Sequence, residues 1–201
     1  IIVTQINLPD HKLASILLLD KGQAMRCLPR SIVFSTTAAL FSLSLSSHAA
    51  DLKELQDQGV IRIAVANEIP YGFTDLDGQA KGVGPEVAAH LVKALGIDKI
   101  EWQTTNFGSL IPGLQADRFD MVAAEMAILP QRCQQILFSE PNSSYGEGLL
   151  VAAGNPKNLH SYEDFKDGTH KVAIMAGADQ LEMMQALGVD ESSLVTISNN
   201  A

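Results

Sequence analysis

A carboxylate and an aromatic ring stand three residues apart at the end of an apolar run: Glu68 and Tyr71, within Val60-Ile61-Arg62-Ile63-Ala64-Val65-Ala66-Asn67-Glu68-Ile69-Pro70-Tyr71-Gly72-Phe73. Together they offer a carboxylate beside an aromatic face. The β-branched run before them reads as a buried strand. Pro70 cannot donate to a sheet ladder and Gly72 frees the backbone, so the chain leaves the sheet here. Ligands of open α/β sheets sit outside the carboxyl ends of strands, where these two residues emerge. The same stretch also fits an ordinary strand exit with a solvated glutamate. Other chemistry is thinly supplied. Cys27 precedes an apolar run, Cys133 stands far from it, and the five histidines are scattered, so neither a disulfide framework nor zinc spacing is present in the sequence. No metal site and no cofactor are expected.

Alternating strand and helix patterns would position the glutamate and tyrosine. The spacing predicts helices over 51–58, 85–95, 109–116, 130–135, 161–165 and 179–187. Strands are predicted over 60–66, 99–104, 120–124, 145–153, 171–175 and 194–198. Pro85 in the first turn of its helix, Ser109 as a cap, and Gly96 and Gly188 as stops support the boundaries. Asp75-Leu76-Asp77-Gly78 reads as a turn. This rhythm gives the α/β class, with a parallel-rich sheet covered by helices.

Residues 1–50 have a different character. Met25 is followed by Arg26 and Arg30, the uncharged stretch 31–45, and the small residues Ala49 and Ala50. That order is the one found in a secretory signal peptide, expected over 25–50 with cleavage near Ala49 or Ala50. Residues 1–24 read as an untranslated or upstream extension, and residues 1–50 are expected to pack poorly against the rest. The chain carries 14 basic and 23 acidic residues, a net charge of −9. Since Lys12, Lys21, Arg26 and Arg30 outnumber Asp10 and Asp20 in residues 1–50, the remainder is more acidic still. An acidic surface argues against nucleic acid as a partner.

Several motifs carry a family resemblance: Gly82-Val83-Gly84-Pro85-Glu86-Val87-Ala88, the run 111–120 ending in Arg118-Phe119-Asp120, Pro130-Gln131-Arg132-Cys133, and Phe138-Ser139-Glu140-Pro141. In this order they resemble the family 3 extracellular solute-binding proteins, the periplasmic receptors of ABC importers. Asn67-Glu68-Ile69-Pro70-Tyr71, Asn106-Phe107 and Gly154-Asn155-Pro156 look most like the ectoine and hydroxyectoine receptors. Gly84 stands where commoner members carry an acidic residue.

The resemblance implies a periplasmic-binding-protein-like fold of two α/β lobes that close over a small solute. Lobe 1 would span 51–151 and lobe 2 would open at 152–201; the chain ends straight after the run 194–198, so lobe 2 is expected to be incomplete. The implied activity is capture of a small zwitterion such as ectoine, by a monomer in the periplasm, for a membrane permease. Arg132 would hold the carboxylate with its planar fork. Glu68, Tyr71 and Phe107 would surround the positive part, and Gly177 lies in the loop that offers amides to a carboxylate. The sequence departs from those receptors at Ala127, where they carry an aromatic residue, at Glu125, where a small one is usual, and at Asp179, which would repel a carboxylate. With Glu125 beside Glu68, a cationic amino acid or diamine is an alternative solute. Two other readings remain: a dehydratase-like enzyme using Glu68 or Glu125 as general acid or base, and a sensor domain with a downstream membrane span.

Overall fold

Apolar alternation sets the central sheet. In the computed structural model, which describes residues 2–4 and 51–199, the chain runs β1 (Ile2–Thr4), α1 (Leu52–Gln58), β2 (Val60–Ala66), β3 (Phe73–Thr74), β4 (Ala80–Lys81), α2 (Val83–Ala94) and β5 (Lys99–Thr105). A 3-10 turn (Phe107–Ser109), α3 (Leu110–Gln115), β6 (Met121–Ala123), α4 (Pro130–Cys133) and β7 (Leu137–Phe138) follow. Beyond them come a second 3-10 turn (Tyr162–Phe165), β8 (Val172–Met175), α5 (Asp179–Ala186), a third 3-10 turn (Glu191–Ser193) and β9 (Leu194–Ile197).

The described strands form a five-stranded sheet, β5-β2-β6-β1-β7, a β3–β4 hairpin closed by the turn at Asp75–Gly78, and a parallel β8–β9 pair. β2 lies parallel to β5 along its whole length, from Val60 opposite Lys99 to Ala66 opposite Thr105, and parallel to β6 through Ile63 and Ala64. Side chains alternate across such strands. Ile61, Ile63 and Val65 of β2 accordingly join Met121 and Ala123 of β6 beneath α1 and α2, with Leu55, Ala88 and Val92. Ala64, Ala66, Val122 and Ala124 face the other way, into a core with Leu110, Leu114 and Phe119 that continues through Phe165, Ile174 and Met184.

The termini of the elements follow local chemistry. Asp51 caps α1 by accepting from the Glu54 N–H at 2.8 Å. Ser161 and Asp164 form a reciprocal capping box around the second 3-10 turn. Ser109 makes no side-chain cap bond; the helix after it starts through a 3-10 turn instead. Gly84 is explained by packing. A Cβ there would lie 2.8 Å from the Ala123 carbonyl carbon, so a side chain would push the first turn of α2 off β6.

Asp120 locks the sheet edge opposite the site. Its carboxylate accepts from the Arg62 backbone N–H at 2.8 Å, from Nε at 3.1 Å and from Nη2 at 2.5 Å. The Arg62 pKa is raised chiefly by that hydrogen bonding, against the effect of burial.

Two expectations are corrected. Residues 145–153 form no strand: the segment hydrogen-bonds to no described strand, and a strand without a ladder partner leaves its backbone to water. The expectation that 1–50 packs poorly fails for Ile2–Thr4. This β-branched triplet pairs antiparallel with both β6 and β7, filling the gap between them. The expected signal peptide, 25–50, lies outside the described residues.

Candidate functional site

Because β2, β5 and β6 run parallel, their carboxyl ends share one edge of the sheet. Glu68 follows β2, Phe107 follows β5 and Glu125 follows β6. All three, with Tyr71, line one cavity of about 600 Å³. The sheet thus gathers residues 57 positions apart in sequence without any of them touching in the primary structure.

Each side chain is set by its local backbone. Glu68 and Gly72 exchange backbone hydrogen bonds, both 2.9 Å, closing a tight loop that presents Tyr71. The Tyr71 ring meets that of Tyr145 at 5.7 Å between centroids, tilted by 49°. Phe107 is 6% exposed and belongs both to the cavity wall and to the hydrophobic core.

Glu125 sits at φ 50°, a left-handed conformation that costs a non-glycine residue roughly 1–2 kcal/mol. It is 3% exposed. Asn142 donates to Oε1 at 3.1 Å and the Ser143 hydroxyl donates to Oε2. Burial pushes the Glu125 carboxyl up, and the hydrogen bonds around it, those from Ser143 and Asn142 among them, bring its pKa below the ordinary value. It therefore faces the cavity as an anion.

Arg132, expected to meet the solute carboxylate, is placed beside the cavity rather than in its lining. It is 3% exposed. Nη1 donates to the Ala127 carbonyl at 3.1 Å, and Nη2 to the Gly177 carbonyl at 3.0 Å and to Glu182 at 3.4 Å. The guanidinium carbon lies 5.9 Å from the Phe107 ring centroid, within cation–π range. Gly177 presents its carbonyl to this arginine. It adopts φ +80°, and a Cβ there would fall 2.8 Å from the Gly108 Cα, so two backbones meet at a contact that admits no side chain.

The wall also holds residues that the sequence did not single out as ligand-facing: Tyr145, Glu147, Tyr162 and Lys171, with Asp179, which it had marked as a departure. Tyr162 donates its hydroxyl to Glu147 at 2.9 Å. Burial first, then the contact with Glu147, raises the Tyr162 pKa; burial also raises that of Tyr145. The strand expected over 145–153 does not form, and residues 141–151 enter the site through tertiary placement alone. Asp179 did carry a signal, as an acid opening a helix just after a glycine loop. Glu68, Glu125, Glu147 and Asp179 outnumber Lys171, so the cavity attracts positive charge.

The profile of the bacterial extracellular solute-binding proteins, family 3, matches residues 61–199. A probable amino-acid ABC transporter periplasmic-binding protein of Sinorhizobium fredii is 55% identical over 181 residues, covering 88% of this chain and 60% of that protein. Among solved structures, EhuB in complex with hydroxyectoine is similar at a TM-score of 0.64 and 30% identity, covering 74% of this chain and 58% of that one. An ancestral amino acid-binding protein, a precursor of cyclohexadienyl dehydratase, is similar at 0.66 and 31%, covering 74% and 65% respectively. The fold is thus periplasmic-binding-protein-like. The chain spans about 60% of the length of the curated relative it matches at 55% identity.

Proposed function

The chain belongs to the bacterial extracellular solute-binding proteins of family 3, and from that premise we propose that it is the periplasmic substrate-binding component of an ABC importer, capturing a small zwitterionic solute of the amino-acid class for a membrane permease. The observation that carries this reading is the convergence of Glu68, Tyr71, Phe107 and Glu125 on one cavity. In it the carboxylates take the positive part of the solute and the rings cover it, at about 0.5–2 kcal/mol per cation–π contact. Arg132 takes the solute carboxylate by exchanging Glu182 and the Gly177 carbonyl for it. Gly177 contributes the close backbone turn that holds the arginine's surroundings.

The similarity to probable amino-acid ABC transporter-binding proteins supports recognition over the dehydratase-like alternative. Two solute chemistries compete. The likeness of residues 67–71 and 106–107 to ectoine receptors, and the similarity to EhuB with hydroxyectoine, support an ectoine-like amidinium. The buried Glu125 anion, lining the same cavity as Glu68, supports a cationic amino acid, whose second positive group matches a second carboxylate. The geometry favours the cationic amino acid.

Calorimetric titration of the purified chain with arginine, glutamine and ectoine tests the reading. Saturable binding of one of them, lost or weakened in Arg132→Ala, is the expected result. Removing one partner of a buried charge pair typically costs about 2–5 kcal/mol. Unchanged binding of every solute in Arg132→Ala would remove that residue's assignment, and no binding at all would remove the function.

A further inference from the structure

Arg132 already holds a carboxylate of the chain's own. It is 3% exposed and stands beside the cavity, its guanidinium carbon 5.9 Å from the centroid of the Phe107 ring that lines the wall. Glu182 of α5 reaches it from 50 residues further along the chain: Oε1 lies 3.4 Å from Nη2. The other oxygen, Oε2, accepts from the side-chain amide of Gln131, the residue before the arginine. Nη2 also donates to the Gly177 carbonyl at 3.0 Å. Residues 131 and 132 of α4 are thus fastened to α5 and the loop before it.

This ion pair is built to be replaced. A well-made charge-assisted bond is about 2.7–2.9 Å long, and an arginine fork prefers to hold both oxygens of one carboxylate. Here the contact is 3.4 Å and a single oxygen faces the guanidinium. Exposure is uneven too, 3% for the arginine side chain against 36% for the glutamate. Glu182 can therefore turn to water at little cost, whereas Arg132 cannot and needs a counterion where it is. A solute carboxylate offers two oxygens to the same fork.

We propose that Glu182 is a built-in competitor for the solute carboxylate: it neutralises Arg132 before a solute arrives, yields to the solute, and takes the arginine back on release. The inference rests on the reading of Arg132 as the solute's carboxylate partner and adds how the affinity of that site is held down. A receptor that passes its cargo to a permease must also let go. The returning glutamate gives the buried arginine a partner as the solute leaves, so release does not strand its charge. Gln131 acts as the tether that keeps Glu182 within reach.

The test is calorimetric titration of the full chain and of Glu182→Gln with arginine and glutamine, and with argininamide and glutamine amide, in which a neutral amide replaces the carboxylate. Glu182→Gln keeps the shape and the acceptor for Gln131 but removes the charge. It should bind the acids about three- to tenfold more tightly than the wild type and should gain nothing with the amides. Its melting temperature without solute should fall, because Arg132 loses its carboxylate. Glu182→Asp, which withdraws the carboxylate by one methylene, should show a gain in the same direction at a smaller thermal cost, and decides the matter if Glu182→Gln does not fold. A role confined to fastening α4 to α5 would move acids and amides alike. An equal gain for both, or acid binding unchanged or weakened, would overturn the competitor while leaving the binding function standing. Binding of neither acid to any of the three proteins would overturn the solute reading and the competitor with it.

Discussion

Replacing Phe107 by alanine separates the two duties this ring performs. The side chain is 6% exposed, packs within a core that includes Leu110, Leu114 and Met175, and lies 5.9 Å from the Arg132 guanidinium carbon. Truncating a buried phenylalanine costs about 3–5 kcal/mol through lost transfer energy and the cavity left behind. Loss of the arginine contact adds about 0.5–2 kcal/mol, since Arg132 is itself desolvated. Against a typical domain stability of about 5–15 kcal/mol, the Phe107→Ala protein should unfold at markedly lower urea. Phe107→Leu nearly keeps the volume and should cost under about 1.5 kcal/mol in packing, but it removes the π face. Urea titration followed by the fluorescence of Trp102, the single tryptophan, measures stability. Arginine titration of Phe107→Leu measures recognition and should show affinity about 2–30-fold weaker. Phe107→Ala costing under about 1 kcal/mol would refute the core assignment. Wild-type affinity in Phe107→Leu would refute the ring's part in binding.

Further outcomes follow from other contacts. Glu125→Gly relieves a left-handed strain but removes an anion; it should weaken arginine and putrescine binding and leave ectoine binding unchanged or improved, by calorimetry. Gly177→Ala should destabilise the chain in thermal melting, because the added Cβ meets the Gly108 Cα at 2.8 Å in a backbone conformation alanine disfavours. Asp120→Ala takes three acceptor contacts from Arg62, including the strand's own N–H, and should cost about 2–4 kcal/mol after discounting for the solvent-exposed side of that arginine. Asp179 has a folded pKa above its unfolded one, so the native state loses stability as pH rises through that window. Asp179→Asn should therefore raise the melting temperature at neutral pH, and the gain should vanish as pH falls below the ordinary carboxylate range; an equal gain at all pH values would refute the assignment.

Much of the scaffold was legible because its signals are local. The run 60–66 appears as a strand over the same residues, and Gly188 follows α5 as expected. Boundary shifts elsewhere are small: the helix expected over 85–95 is Val83–Ala94, since Pro85 tolerates any place in a first turn. The failures share a cause. The run 145–153 has strand-like composition, yet a strand exists only where a neighbour supplies the ladder. Ile2–Thr4 pairs because β6 and β7 leave a gap of the right width, which nothing near residue 2 announces.

The sequence alone determined the α/β class, the strand ends that carry Glu68, Phe107 and Glu125, and the negative charge of the molecule. These depend on periodicity, turn chemistry and composition within a few residues. Only the tertiary structure decided that those strand ends share one edge and that Glu125 is held by Asn142 and Ser143. It also decided that Arg132 is engaged by Ala127, Gly177 and Glu182, and that Asp179 and Glu147 line the same cavity. Each of these joins groups that lie far apart in the chain or in separate elements. Burial then acts on the pair, raising Asp179 beside another acid while hydrogen-bond donors hold Glu125 low, so residues of one chemical type take opposite protonation behaviour in one cavity.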